Sequence, residues 1–286
     1  MSRSVPLISI RRTLHLTLLE LLKMRRQRLF LLVLGVPALT SALIPEGLLL
    51  SSREGLQGFL ALNTSLELSL LLGSFLLLLH SSLSISWERS EKTLRNTLAG
   101  PVRRSEVLLS RWLALELEVL LLLGLVVAGA FFSTFLGYRF EDIRGDATEP
   151  LFYASELRHH TILGILYFVP PAMALVTFGL FLSVLSASPA AGAVLSLGSL
   201  LLLDIAKSIV SSSSKMTCCL FNSYLPTLFD QTSYLHGVTK LSEGVSDVLW
   251  MDGSPQHTLD FAVPCLYAMV FLLLSLAIFS RKDFTE

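Results

Sequence analysis

Several ionisable side chains lie inside long apolar segments of the sequence, where a charge is costly and therefore usually has a function. Asp204 and Lys207 are three residues apart, so they can pair along one face of a helix. Because both lie near the end of an apolar segment, we expect an interfacial pair whose charged ends reach toward water, rather than a substrate or proton site.

Three further candidates lie in other apolar segments. For His80, a hydrogen bond to a neighbouring helix is a simpler explanation than proton transfer. Glu116 and Glu118 lie about one turn inside the membrane, and we expect only one of them to face the interior of a helix bundle. The alternative is an intramembrane enzyme or a proton-coupled secondary transporter, but either would need more polar groups that converge near mid-membrane.

The sequence lacks the motifs of common catalytic and cofactor sites. No glycine-rich turn leads into Gly-Lys-Ser/Thr, and no His-Glu-x-x-His zinc motif occurs. His159 and His160 are adjacent, so on a helix they point about 100° apart and make a poor metal pair. We therefore expect a non-catalytic chain with no cofactor or metal of its own.

Composition places the chain in the membrane class. Of its 286 residues, 52% are hydrophobic and only 15% are charged, and its mean hydropathy is +0.66. A helix needs about 20 mostly apolar residues to cross the hydrocarbon core, and six segments satisfy this. The predicted spans cover about 29–45, 66–86, 113–136, 161–185, 190–209 and 261–280. The predicted fold class is therefore all-α, a polytopic helical membrane protein with six transmembrane helices.

The chain divides into an N-terminal segment, residues 1–28, and a six-helix transmembrane domain, residues 29–286. Within the first segment, residues 8–24 repeat apolar side chains at helical spacing. The apolar face comprises Leu14, Leu18, Leu21 and Leu22. This pattern favours an amphipathic helix that lies in the membrane interface over a frayed cytoplasmic tail.

Lys and Arg residues indicate the orientation, since cytoplasmic segments near spans retain them. Fifteen of the 22 basic residues lie in residues 1–28, in residues 87–111 and after residue 280. We therefore place both termini and the loop 87–111 in the cytoplasm, and the long loop 210–260 outside. Apolar side chains in that outer loop, such as Leu225 and Leu228, predict short helices packed over the outer surface of the spans.

The cytoplasmic loop 87–111 carries the most informative pattern. Glu88 and Glu91 are three residues apart, so they lie on one face of a helix that emerges from the second span. Gly100-Pro101 ends that helix, and a second helix then continues into the third span. A charged helical hairpin joined to two spans would tilt both of them when a partner pushes on it. The alternative is an ordinary solvated loop.

At this loop the sequence resembles the permease subunits of ABC transporters of the type-2 exporter class. The similarity rests on Glu88, Glu91, Thr93 and Leu94, then on Pro101, Val102, Arg103 and Arg104, and then on Val107, Leu108, Leu109 and Arg111. Lys92 departs from the pattern, because the family usually has Gly before the Thr. The resemblance implies an ATPase-coupling interface formed by Glu88, Glu91, Lys92, Thr93, Leu94, Pro101, Arg103 and Arg104.

The resemblance also implies partners. A separate ABC ATPase dimer would bind ATP and Mg²⁺ and contact the loop 87–111, and the Ser186–Pro189 turn would form a smaller contact. A second permease copy, or a homologous permease, would complete the pathway in the plasma membrane, here expected to be a bacterial inner membrane. No nucleic acid is expected. Another alternative is a structural membrane anchor for an ATPase complex.

Overall fold

The computed structural model describes residues 10–51, 57–93, 103–144, 150–210, 220–226, 228, 233–245 and 256–281. Within these residues, six helices are long and apolar enough to cross a membrane, which confirms the predicted polytopic helical fold. They are α2 (Arg28–Ser51), α3 (Gly58–Ser90), α4 (Arg104–Gly137), α5 (Ala154–Leu185), α6 (Pro189–Val210) and α8 (Gln256–Arg281). Such apolar runs fold as helices because a helix satisfies its backbone hydrogen bonds internally in lipid.

The smaller elements lie at the ends of these spans. Helix α1 (Ile10–Met24) precedes α2, and α7 (Tyr234–Ser242) lies between α6 and α8 together with a 3-10 turn, Phe221–Tyr224. Two short strands, β1 (Ile143–Arg144) and β2 (Pro150–Phe152), pair antiparallel between α4 and α5. The sequence did not predict these strands.

Helices α3 and α4 are much longer than the predicted spans. They contain 33 and 34 residues, and at ~1.5 Å per residue each exceeds the ~30 Å hydrocarbon core. Residues 87–90 therefore belong to α3, and residues 104–111 belong to α4. Much of the predicted loop 87–111 is thus a rigid helical continuation of the two spans.

The prolines of α2 do not end it. We predicted a first span that ends near residue 45, but the helix includes both Pro37 and Pro45 and continues to Ser51. Pro45 has no N–H to donate to the carbonyl oxygen of Ser41, four residues earlier, and the Ser65 hydroxyl of α3 donates to that oxygen instead at 2.6 Å. Such contacts let a helix in lipid tolerate proline.

Helix α5 forms the centre of the bundle. In its most apolar stretch, 78% of the residues are buried, against 11% in the corresponding stretch of α8. Helix α5 packs against both α3 and α8. An apolar core cluster that joins the spans includes Leu175 and Leu180 of α5 and Leu70 and Leu77 of α3. The outer faces of α6 and α8 remain available for lipid or for another protein.

Helices α3 and α5 approach closely at a glycine. A methyl group added at Gly179 would overlap the Ser81 hydroxyl and lie 3.1 Å from the carbonyl oxygen of Leu78. Small residues allow this close approach of backbones between membrane helices. Gly124 of α4 is the opposite case, because nothing lies within 4 Å of the same added methyl group.

We expect the substitution Gly179→Ala to lower the free energy of unfolding by about 1–3 kcal/mol, because α3 and α5 must move apart to accommodate the methyl group. Gly124→Ala is the matched control, and we expect it to leave stability unchanged or to raise it by about 0.5–1 kcal/mol, because alanine favours helix. Thermal unfolding of both variants in detergent measures the difference. Equal melting temperatures would contradict the close α3–α5 contact.

Polar contacts connect the outer end of the bundle to α7. Asn63 of α3 donates to the Ser242 hydroxyl at 2.8 Å and accepts from the Thr161 hydroxyl of α5 at 3.1 Å. Glu67 lies 2.7 Å from Nδ1 of His236. In the described part of the predicted outer loop, Leu225 is buried but Leu228 is exposed. Helix α7 therefore packs on the spans, as expected of a short helix in that loop.

Helix α1 has the amphipathic arrangement predicted for it. Leu14, Leu18 and Leu22 are exposed, whereas Thr13 and Thr17 are buried against the protein. Leu21 differs from the prediction, since it packs against the core cluster. An exposed leucine face suits lipid, and the interfacial location of α1 and the cytoplasmic termini stay predictions.

Candidate coupling region and its buried ion network

The end of α3 separates the two glutamates that the sequence placed on one face. Glu88 is only 5% exposed, whereas Glu91, just after the helix, is exposed. The two carboxylates therefore do not form one surface. Glu88 points into the protein, and Glu91 remains accessible to a partner.

Arg111 of α4 and Glu88 of α3 are the buried centre of an ion network that extends to the partly buried Glu20 and the exposed Lys23. Nη2 of Arg111 lies 2.7 Å from Oε2 of Glu88 and 3.1 Å from Oε2 of Glu20. Nη1 of Arg111 donates to the backbone oxygen of Ser84 at 2.7 Å. Lys23 forms a further ion pair with Glu88. Four charged side chains thus join α1, α3 and α4 at their predicted cytoplasmic ends.

The charges in this network balance, with two cations and two carboxylates. A buried ion is stable only when it is paired and hydrogen-bonded. Besides Glu88, Glu20 and the backbone oxygen of Ser84 accept hydrogen bonds from the Arg111 guanidinium. Burial lowers the pKa of Lys23, and the positive charge of Arg111 lowers it further, against the opposing effects of Glu20 and Glu91. Arg111, which contacts both carboxylates, is therefore the central cation of the network.

The chain turns away from α3 immediately after Glu91. The indole nitrogen of Trp87 donates to Oε1 of Glu91 at 2.6 Å, which holds this carboxylate at the protein surface. Lys92 has a φ of 58°, in the left-handed region that glycine prefers. Thr93 Oγ1 donates to the backbone oxygen of Glu88 at 3.3 Å. Lys92 thus keeps the backbone conformation that the usual glycine would adopt.

The start of α4 completes the described part of the region. The backbone N–H of Arg103 donates to Oε2 of Glu106 at 3.2 Å, which caps the first turn. Arg104 donates to the backbone oxygen of Ser280 at 3.4 Å and so contacts the end of α8. Leu94 and Pro101, which the sequence also assigned to the interface, lie outside the described residues.

The second predicted contact turn lies beside the first. The chain between α5 and α6 turns at residues 186–188, and Nη1 of Arg89 donates to the backbone oxygen of Ser186 at 3.3 Å. This hydrogen bond joins the end of α3 to the α5–α6 turn. A partner that contacts the end of α3 would therefore also be near residues 186–189.

His80 and Glu118 form a buried pair deeper in the bundle. The Nδ1 atom of His80 lies 2.8 Å from both carboxylate oxygens of Glu118, and Nε2 lies 3.4 Å from Oε1 of Gln27. Phe30 packs edge-on against the imidazole ring. The expected interhelical hydrogen bond of His80 is confirmed, with α4 as the neighbouring helix.

We expect His80→Leu to lower the free energy of unfolding by about 1–3 kcal/mol, because Glu118 would stay buried without its partner. The double variant His80→Leu, Glu118→Leu should recover much of this loss, since it removes both polar groups. His15→Leu is the matched control, because His15 is exposed on α1. The free energies of unfolding in detergent test this order of stability among the three variants. A double variant less stable than His80→Leu would contradict it.

Glu116 is buried as well, so the expectation that only one of the two α4 glutamates faces the bundle interior is wrong. The Thr177 hydroxyl of α5 donates to Oε1 of Glu116 at 3.1 Å, and the indole nitrogen of Trp112 donates to Thr177 Oγ1 at 3.0 Å. Glu118 faces His80 instead. Both carboxylates find polar partners on other helices because α4 is enclosed on two sides at this level.

The expectation of an exposed interfacial pair at Asp204 and Lys207 is also wrong. Asp204 is 3% exposed, and Lys207 is fully buried. The backbone N–H of Leu228 donates to Oδ2 of Asp204 at 3.2 Å. Leu228, in the predicted outer loop, therefore lies over this end of α6, and the sequence pattern of α6 alone does not reveal that.

Sequence reasoning missed the partners of Glu88. Lys23 and Glu20 are three residues apart on the polar face of α1, and that spacing was a signal that one face of α1 presents both charges to a neighbour. Arg111 was predicted only as part of the family pattern. Its position within a long apolar helix was a signal of a buried partner.

The comparisons with known proteins agree with this architecture. A family model described as ABC-2 family transporter protein matches residues 16–196, which is more than half of the chain. The matched range contains the whole ion network and both turns that the sequence assigned to ATPase contact. A comparison with curated proteins finds no match. With six helices able to span a bilayer in its described residues, this is a multi-pass plasma membrane protein, and the chain belongs to the ABC-2 family of transporter permeases.

Proposed function

We propose that this chain is the membrane subunit of an ATP-driven exporter. A separate ATPase binds ATP and Mg²⁺, contacts residues 91–104 together with the turn at residues 186–189, and changes conformation during its cycle. The permease transmits that change to its spans. Two permease copies, or this chain with a homologue, enclose the pathway.

The ion network around Arg111 is the observation that carries this proposal. It joins α1, α3 and α4 where they leave the membrane on the predicted cytoplasmic side. A force applied just beyond α3 therefore acts on three helices at once. A partner shifts the conformational equilibrium of a protein only when it binds the two conformations with different affinity. A rigid connection between the ATPase contact and the spans allows the conformation of the spans to depend on that of the ATPase.

The glutamates have different roles in this proposal. Glu88 fixes the end of α3 to Arg111 and Lys23 inside the protein. Glu91, Lys92 and Thr93 are exposed after the helix, and Arg103 is exposed before α4. The ATPase contact is therefore formed by the exposed group, and Glu88 acts as a positioning residue behind it.

Purification of the tagged chain from its native membranes tests the proposal. We expect an ATPase to copurify, and we expect ATP hydrolysis by the complex in liposomes but not by the chain alone. Reconstitution of the chain by itself distinguishes the main alternative, because a proton-coupled transporter would move its substrate without an ATPase. Transport by the chain alone would overturn the proposal.

A further inference from the structure

A cavity of about 480 Å³ lies between α1 and the predicted cytoplasmic ends of α3 and α4. Its volume is in the range of small-molecule sites, about 300–1,000 Å³. Much of its wall is apolar, formed by Met24, Leu29, Leu83 and Leu115. A small polar ion alone would not need such a wall, whereas an amphiphile would.

The side chains around the cavity are of the kinds found at the level of lipid headgroups. Trp87 lines it and is 51% exposed, and tryptophan is enriched at the level of lipid headgroups. Helix α1, which forms one side of the cavity, exposes leucines such as Leu18 and Leu22 as an interfacial helix does. The cavity is thus placed where a phospholipid of the inner leaflet would present its headgroup.

The charges around the cavity favour an anionic headgroup. Glu20 and Glu88 are paired with Arg111, and Glu91 accepts the hydrogen bond from Trp87. Arg28, by contrast, lines the cavity and makes no ion pair with any residue that the structure describes.

Two more basic side chains lie close to Arg28 along the chain. Arg25 and Arg26 are exposed in the same α1–α2 turn. Clusters of Lys and Arg beside a membrane helix attract anionic lipids. The described lining is itself balanced, with three cations and three carboxylates, so Arg25 and Arg26 make the charge of this region positive.

We propose that this cavity binds one anionic phospholipid of the inner leaflet. The phosphate lies against Arg28, and the first part of an acyl chain lies against Met24, Leu83 and Leu115. The bound lipid fills the space between α1 and the spans, next to the ion network. The cavity wall includes Glu91 and Thr93, which the proposed ATPase contact also uses, but Arg28, the proposed phosphate ligand, is not part of that contact.

Quenching of Trp87 fluorescence by brominated lipids tests the site in the full chain. The protein is reconstituted in phosphatidylcholine bilayers that contain either brominated phosphatidylglycerol or brominated phosphatidylcholine at the same mole fraction. The Trp87 contribution is obtained by comparison with Trp87→Phe. We expect the anionic lipid to be preferred at Trp87 by at least about fivefold, which is the effect of one basic side chain at an anionic surface.

Arg28→Gln should abolish this preference, and Arg12→Gln is the matched control. Arg12 is exposed on α1 but lies about 12 Å along that helix from Glu20, the nearest cavity-lining residue, at ~1.5 Å per residue, beyond the ~8–10 Å screening distance. Equal quenching by both lipids would overturn the proposal, and so would equal losses in the two variants. Displacement of the lipid by soluble glycerol phosphate would also overturn it, because the apolar wall would then be unnecessary.

Discussion

Arg111→Gln is expected to lower the free energy of unfolding by about 3–5 kcal/mol, the largest stability effect in this protein. The substitution leaves the buried Glu88 and the partly buried Glu20 with one cation fewer, and removal of one partner from a buried ion pair is costly in this range. Lys23 can still pair with Glu88, so the loss should be near the lower end. Unfolding of the purified chain in detergent micelles measures it.

A double-mutant cycle separates the network from general damage. Glu88→Gln together with Arg111→Gln should cost less than the sum of the two single variants, by at least about 1 kcal/mol, because the residues contact each other. Arg139→Gln is the control, since this arginine is 90% exposed and 3.9 Å from Glu141, and we expect a change within about 0.5 kcal/mol. Additive losses in the cycle would mean that Glu88 and Arg111 do not interact.

Glu91→Arg is expected to weaken assembly with the ATPase by at least about tenfold while the permease itself stays folded. Reversal of an interfacial charge places like charges together, which costs several kcal/mol at a protein–protein interface, and about 1.4 kcal/mol is already tenfold. The stability change should be small, since Glu91 is exposed and loses only the hydrogen bond from Trp87. The measurement compares the amount of ATPase that copurifies with each variant.

Two variants make this comparison specific. Glu141→Arg carries the same charge reversal at an exposed residue near β1, on the predicted outer side, and should leave assembly unchanged. Glu88→Gln should lower the melting temperature, because Glu88 is buried. A normal complex with Glu91→Arg would show that the exposed end of α3 is not the contact surface.

Hydropathy and charge predicted much of the fold because each depends only on nearby residues. The six spans follow from long apolar runs such as 113–136, and the membrane class follows from the small charged fraction. Helix ends were less accurate, as in α3, which begins at Gly58 rather than near residue 66. Its first two turns combine apolar and polar residues, so the hydropathy is lower there although the helix continues.

The candidate site was predicted only in part because its partners are distant in sequence. Arg111 and Glu20 are separated by 91 positions, and the spacing of Glu88 and Glu91 gave no information about α1. The sequence correctly placed Glu88 on the helix that continues from the second span. It did not reveal that α3 ends between the two glutamates and that α1 covers only the first.

The departure at Lys92 has a structural explanation that the sequence alone did not provide. The family pattern has glycine there, and Lys92 adopts the left-handed conformation at a cost of ~1–2 kcal/mol relative to an ordinary helical residue. The turn after α3 is therefore set by the surrounding contacts, including that of Thr93 with the Glu88 backbone.

Site-specific photocrosslinking at position 91 tests the proposed coupling most directly. A photoreactive amino acid replaces Glu91 in the full chain, and position 141 carries the same group in a control. After irradiation in native membranes, we predict an adduct between position 91 and a protein with an ATP-binding P-loop, and no such adduct from position 141. An ATPase adduct from position 141 instead, or labelling of position 91 by a membrane-impermeant reagent applied from outside, would contradict the account.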